Sequence, residues 1–168
     1  MLHLIKGRPE HLPLTAWEAL KSLEIPAERV VQTMGQGRFS GGTHGKDGSF
    51  LNELGSQEDY SCAFDLSVLH PERYSDDDIK QILHKLAQRG IAGWLRDPAR
   101  PEDGWHEPIH IHAIDCHHAM KDLLQAQIHN WCHGLNGLVS HTVYHFLVWP
   151  DEEIQAVRAA FLSNNPSH

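Results

Sequence analysis

Apolar positions along the chain follow helical spacing near both ends and two-residue alternation in the middle. Trp17, Leu20 and Leu23 follow a Thr15–Glu18 capping-box pattern, which predicts a first helix running to about Glu24. Pro26 is placed to open a second helix through Val30 and Val31, ending near Gly35. Ala63-Phe-Asp-Leu-Ser-Val-Leu69 alternates as a strand. Ser75 ahead of Asp76, Asp77 and Asp78 starts a further helix, with its acids at the positive end of the dipole. Ile79, Ile82, Leu83 and Leu86 form its apolar stripe, and Gly90 stops it. Ile91 to Leu95 reads as the next strand and Arg96 to Gly104 as a proline-rich loop. A strand carrying His110 and His112 follows. A helix then runs from about His118 to Cys132, with Met120, Leu123, Leu124, Gln127, Ile128 and Trp131 at helical spacing and Gly134 as terminator. Leu138 to Trp149 is ambiguous between helix and strand, and Asp151 caps a final helix containing Ile154, Val157 and Phe161.

Helix-rich ends around a few strands, without regular strand–helix alternation, predict an α+β fold: a small antiparallel sheet with flanking helices. One stretch breaks the pattern. From Gly35 to about Tyr60 the chain is dominated by glycine and polar residues, and reads as loops with room for short strands. A loop of that length inside a compact domain is more often functional than idle.

Composition narrows the function. A chain of 168 residues fits one domain spanning 1–168 with one substantial core. A net charge of −8 and no cluster of Lys and Arg argue against a nucleic-acid surface. Three cysteines without a C-x-x-C pair exclude a disulfide framework and a cysteine-rich zinc knuckle. No apolar run has the length of a membrane span, and the N-terminus shows no signal peptide, so the chain as written reads as cytosolic.

The chemistry concentrates in Glu107-Pro-Ile-His-Ile-His112. On a strand, His110 and His112 project from one face while Ile109, Ile111 and Ala113 project from the other. Imidazole is the commonest metal ligand, and Glu107 offers the unligated carboxylate that a metal-bound water needs as proton acceptor. A catalytic zinc takes three ligands from His, Asp or Glu. His44, in Gly41-Gly-Thr-His-Gly45, and Asp65, an acid between apolar strand residues, are candidates for the rest of the set. Asp65 has other readings, as a turn cap or an arginine partner, and His44 could be a solvated loop residue.

Thr43-His44, then Ser61-Cys-Ala-Phe-Asp65, then Glu107-Pro-Ile-His110 resembles the zinc D,D-peptidase family of D-alanyl-D-alanine carboxypeptidases, dipeptidases and some phage endolysins. That family carries S-x-H-x-x-G-x-A-x-D followed far downstream by E-P-W-H. The resemblance implies a Hedgehog/DD-peptidase-like fold and Zn2+ held by His44, Asp65 and His110. Glu107 is then general base and acid, and Arg38 is the candidate to hold the developing oxyanion. It implies a substrate among short peptides or peptidoglycan stem peptides, with a periplasmic or lysis-released setting as the alternative to the cytosol. The chain departs from the pattern in three places. Twenty residues separate His44 from Asp65 where the family has a short spacing, Ile109 replaces the tryptophan, and the arginine's context is not reproduced. An insertion from about Gly45 to Tyr60 must loop out between two ligands, which is affordable because loop closure costs little per added residue.

Two alternatives stay open: an H-x-H zinc hydrolase or hydratase in which His112 joins or replaces His110, and a metal-bearing module without catalysis. Cys62 reads as a small buried hydrophobe and His117 and His118 as solvated residues at a helix start. Trp94, Trp105 and Trp131 read as core or core margin, with Trp105 the best candidate for a cleft wall. The i,i+4 pair His141 and His145 lacks the glutamate of an H-E-x-x-H motif.

Overall fold

Asp65 and its neighbours form the centre of a four-stranded antiparallel sheet, in a computed structural model that describes residues 7–35, 42–100, 108–137 and 142–167. The order of elements is helix α1 (Leu14–Ser22), strands β1 (Val30–Gln32), β2 (Gly48–Leu51), β3 (Gln57–Tyr60) and β4 (Ala63–Ser67), helix α2 (Asp76–Gln88), strands β5 (Ile91–Arg96) and β6 (His110–Asp115), then helices α3 (Asp122–Cys132) and α4 (Asp151–Asn164). The main sheet runs β1-β4-β6-β5, and β2 and β3 form a separate hairpin. The α+β class and the small antiparallel sheet with flanking helices are therefore as the hydrophobic pattern predicts.

Every residue of β4, β5 and β6 is buried, so the sheet is covered on both faces. Register pairs Asp65 with His112 and Ser67 with His110 across β4 and β6, and Trp94 with His112 across β5 and β6. Strand alternation therefore puts Asp65, His110, His112, Trp94 and Arg96 on one face. Phe64, Leu66, Ile111, Ala113 and Leu95 occupy the other, where Leu83 of α2 reaches Gly93 so closely that an added Cβ would sit 2.9 Å from its methyl. Helix α2 is tied to α4 through Glu153, whose carboxylate meets His84 Nδ1 at 2.6 Å and accepts from Gln88 at 3.2 Å.

Several boundaries differ from the sequence pattern. Pro13, not Thr15, sits at the N-cap of α1, and no side chain caps that helix. The Thr15 hydroxyl instead donates to the buried Asp115 carboxylate, a tertiary partner the local motif does not reveal. The second helix from Pro26 reduces to a 3₁₀ turn at Ala27–Arg29. The β-branched pair Val30 and Val31 then enters β1, where backbone groups bond to β4. Ser75 caps α2 with the reciprocal Ser75–Asp78 capping box, as its pattern predicts. Helix α3 begins at Asp122 rather than near His118, because the preceding residues are held by other elements: Asn165 takes the Met120 N–H and Asp47 takes the Lys121 N–H. Pro150 occupies the N-cap of α4, and Asp151 is its first residue. Leu138 to His141 lie outside the described residues. From Thr142 to Trp149 the chain is irregular, apart from a bridge pairing Leu135 with Val143.

The glycine-rich stretch is not a structureless loop. Its second half is the β2–β3 hairpin, paired from Gly48–Tyr60 to Leu51–Gln57. Gly48 is required there, since a Cβ would lie 2.8 Å from the Tyr60 ring. Arg8 clamps the hairpin from outside with hydrogen bonds to both Glu53 and Glu58.

Candidate metal centre

The hairpin resolves the distance in sequence between His44 and Asp65. The chain leaves His44, runs out along β2 and back along β3, and re-enters the sheet at Ala63, so the two side chains meet. His44 Nε2 lies 3.2 Å from Asp65 Oδ2, and His112 Nδ1 lies 3.0 Å from Asp65 Oδ1. His44, Asp65 and His112 each offer one ligand atom, and these atoms all lie within 4.8 Å of one another. All three residues are buried, His44 at 9%, Asp65 at 7% and His112 at 3% exposure.

Each position has a local cause. Asp65 sits in mid-strand opposite His112, so backbone register alone sets that pair face to face. Strand β1 shifts register between Val30 and Gln32, placing Gln32 beside Asp65. The next residue, Thr33, then presents its carbonyl oxygen 2.9 Å from His44 Nδ1. The His44 loop is held by Gly35 N–H donating to the His44 carbonyl and Gly45 N–H donating to that of Gly42. His112 is packed between Trp94, stacked at 5.9 Å between ring centroids, and the edge of His44 at 5.5 Å.

The outward nitrogens each face an acceptor. His44 Nδ1 faces the Thr33 carbonyl, and with a hydrogen on Nδ1 its Nε2 is the nitrogen that a cation beside Asp65 would meet. His110 behaves in the same way, with Nδ1 2.8 Å from the Pro108 carbonyl and Nε2 3.8 Å from Asp65 Oδ1. His112 Nε2 meets the Gln127 side-chain oxygen at 3.1 Å, and its Nδ1 faces Asp65 Oδ1 at 3.0 Å. Ring nitrogens of His44 and His112 and the Asp65 carboxylate thus lie within 4.8 Å of one another, each imidazole backed by an acceptor, an arrangement that metal-ligating histidines use. Nitrogen and carboxylate-oxygen donors fit a divalent cation of the zinc group.

The surroundings act on charge in opposite directions. Burial raises the cost of ionising Asp65, but the contacts with His112 and His44 outweigh it and hold the carboxyl well below its ordinary value. Burial disfavours protonation of His112 against the pull of Asp65.

The expected ligands His44 and Asp65 are therefore brought together. Their third close partner is His112, with His110 beside it on the same strand face and nearest to Asp65 at 3.8 Å. Glu107 and Arg38 lie outside the described residues, as does Trp105. Sequence reasoning did not single out Gln127, Thr33 or Asp47. Gln127 carried a signal, being a polar residue on the apolar stripe of its helix. The Asp47 side chain is fully buried, accepting the N–H of Cys62 at 2.7 Å and of Lys121 at 2.8 Å, and pairing with Lys121 Nζ at 3.0 Å. Lys121 Nζ also donates to the Gly45 carbonyl, next to His44.

Elsewhere, Cys62 is buried with its thiol pushed up by burial, in keeping with a small hydrophobe. His117 and His118 do not start a helix. His117 Nδ1 meets Asp115 at 2.7 Å, and His118 Nε2 meets Thr15 at 2.8 Å. No helix among the described residues is long and apolar enough to cross a membrane. A buried histidine–aspartate–histidine centre on an antiparallel sheet is the class of site this chain presents. No protein-family model, curated protein or solved structure matches it.

Proposed function

We propose that this chain is a zinc hydrolase of the D,D-peptidase kind, cleaving an amide bond in a short peptide or a peptidoglycan stem peptide. The observation that carries the reading is the convergence of His44, His112 and Asp65, with the far nitrogen of each histidine already committed to an acceptor. A bound cation supplies Lewis acidity, polarising the scissile carbonyl and acidifying a water. The remaining steps fall to the chain. Glu107, three residues ahead of His110 in sequence, takes the proton of the attacking water and returns it to the leaving amine. Arg38, upstream of His44, neutralises the charge that develops on the carbonyl oxygen. The Hedgehog/DD-peptidase-like fold belongs to the same proposal and is supported by the order of the motifs along an α+β chain.

The test combines metal analysis with turnover. Wild-type protein is expected to carry stoichiometric zinc and to lose it in His44→Ala, Asp65→Ala and His112→Ala. Glu107→Gln is expected to keep zinc while losing hydrolysis of peptides ending in D-alanyl-D-alanine or of peptidoglycan fragments. Zinc that survives all three alanine changes would sink the ligand set, and full turnover by Glu107→Gln would sink the mechanism.

One observation favours a second reading. His110 Nε2 also faces Asp65, so both members of the H-x-H pair border the same point. In an H-x-H hydrolase the three histidines hold the metal and Asp65 is dispensable for it. Zinc retained by Asp65→Ala but lost from His110→Ala and His112→Ala would select that reading.

A further inference from the structure

His44 and His110 are held from behind by backbone carbonyls, which no side-chain substitution removes. His112 is different. Its backing acceptor is a side chain, Gln127 on α3, five residues into that helix from Asp122 and only 2% exposed. The same amide donates through Nε2 to the Thr43 hydroxyl at 3.2 Å, and Thr43 adjoins His44 in the chain. One glutamine therefore touches one candidate ligand directly and the residue next to another. Burial gives it no water to exchange with, so a lost contact would leave its buried polar partners unpaired.

We infer that Gln127 is the positioning residue of the metal centre, holding His112 as the Nε2–H tautomer so that Nδ1 is the ligating nitrogen. The inference rests on the metal reading above. Strand register brings the His112 ring beside Asp65, but a ring can present either tautomer. The Gln127 oxygen decides between them by accepting the hydrogen at Nε2. The bond from Gln127 to Thr43 links α3 to the loop that carries His44. Trp94, stacked on the other side of the ring, limits its tilt but offers no acceptor in its place.

The experiment uses the full chain stripped of metal and titrated with Zn2+ against a competing chelator, and separately with Co2+ followed by its visible absorption. Gln127→Leu removes the acceptor at nearly constant volume. It is expected to weaken Zn2+ binding ~10–100-fold and to alter the Co2+ spectrum. Gln127→Glu keeps an acceptor oxygen toward Nε2. It is expected to hold Zn2+ within a few-fold of wild type, or more tightly, with the wild-type Co2+ band positions. Rescue by Glu separates positioning from packing, because a purely structural role would make a buried carboxylate at least as harmful as leucine. Far-ultraviolet circular dichroism of the metal-free variants checks that both fold. Should Gln127→Leu misfold, Gln127→Met takes its place with the same expectation. Unchanged Zn2+ affinity and Co2+ spectrum in the leucine variant would overturn the inference and leave the metal reading standing, as would equal losses in both variants. Wild-type protein that takes up neither ion would remove the metal reading and this inference with it.

Discussion

Asp47→Ala is expected to be among the most destabilising single changes outside the core, although the residue lies in a glycine-rich segment and touches no candidate ligand. Its side chain is fully buried and accepts from two backbone N–H groups, Cys62 at the entry to β4 and Lys121 at the N-cap of α3, and from the Lys121 ammonium. Alanine leaves both N–H groups without that acceptor, at about 1–3 kcal/mol each. It also breaks a largely buried ion pair, a change that alone costs ~3–5 kcal/mol when one partner is removed. Lys121 is 23% exposed and keeps the Gly45 carbonyl, so the second figure falls to its low end or below. The combined expectation is a loss of ~3–6 kcal/mol, or a fall in Tm of roughly 6–24 °C at the sensitivity of a chain this size. Urea unfolding followed by circular dichroism measures the first and a thermal scan the second. Asp47→Asn keeps one acceptor oxygen and should lose about half as much. In a double-mutant cycle, Lys121→Met should cost less in the Asp47→Ala background than in wild type, since the pair is already gone. A loss below ~1 kcal/mol for Asp47→Ala would refute the reasoning, because a fully buried acceptor of three donors cannot be that cheap to delete.

Two further outcomes follow from the geometry. Hydrogen bonds from Arg8, helped by the His11 N–H and Asn52, hold the Glu58 carboxyl down from an ordinary 4.5 to about 2 against the cost of its burial. Because the folded value lies below the unfolded one, this contribution, on the order of 2 kcal/mol, is complete above about pH 5 and fades as pH falls toward 2. Glu58→Gln should flatten that part of the stability–pH curve, and an unchanged acid slope in urea titrations would count against the Arg8 clamp. Gly137 has φ +86° and a Cβ there would lie 2.7 Å from the Trp94 ring. Gly137→Ala should therefore cost more than the ~1 kcal/mol of left-handed strain alone and should shift Trp94 fluorescence, whereas a neutral substitution would show that the Trp94 contact is slack.

Much of this was legible in the sequence where local rules and tertiary demands agree. Ser75 caps α2 through the reciprocal Ser75–Asp78 box, with three acids in the first turn, so the local signal and the folded structure coincide. The alternation that placed Asp65 among apolar residues and His110 with His112 on one face survives intact, since a strand buried on both sides cannot slip by one residue. Local rules failed where a distant group outbid a near one. Thr15 gives its hydroxyl to Asp115, a hundred residues away, instead of capping α1. Val30 and Val31 trade a helix for an edge strand because β4 offers backbone partners that the sequence cannot advertise. The choice between His110 and His112 was open for a related reason. Both lie on the same face, and the β4–β6 register sets their distances from Asp65, 3.0 Å for His112 directly opposite and 3.8 Å for His110, without choosing the ligand.

The long separation of His44 from Asp65, one of the departures from the family pattern, is where tertiary contacts matter most. A short ligand spacing fixes two side chains by local backbone geometry. A spacing of twenty residues has to be fixed by contacts, and the intervening segment supplies them at both ends. Next to His44, the Gly45 carbonyl and the Asp47 carboxylate are both gripped by Lys121, and Asp47 in turn holds the N–H of Cys62, three residues before Asp65. Lys121 also opens the helix that delivers Gln127 to His112. The candidate ligands break the apolar pattern of the sheet. One carboxylate faces two imidazole nitrogens at 3.0 and 3.2 Å in a largely buried site. Such a cluster is satisfied when imidazole N–H groups donate to the carboxylate, or when a cation sits among the three side chains. A protein that needed only a stable sheet would place apolar residues at these positions, as it does on the opposite face with Phe64, Leu66 and Ile111. Three buried polar side chains with ligand atoms within 4.8 Å of one another, on an otherwise apolar sheet, make this face able to hold a cation, and that placement carries the argument further than any motif.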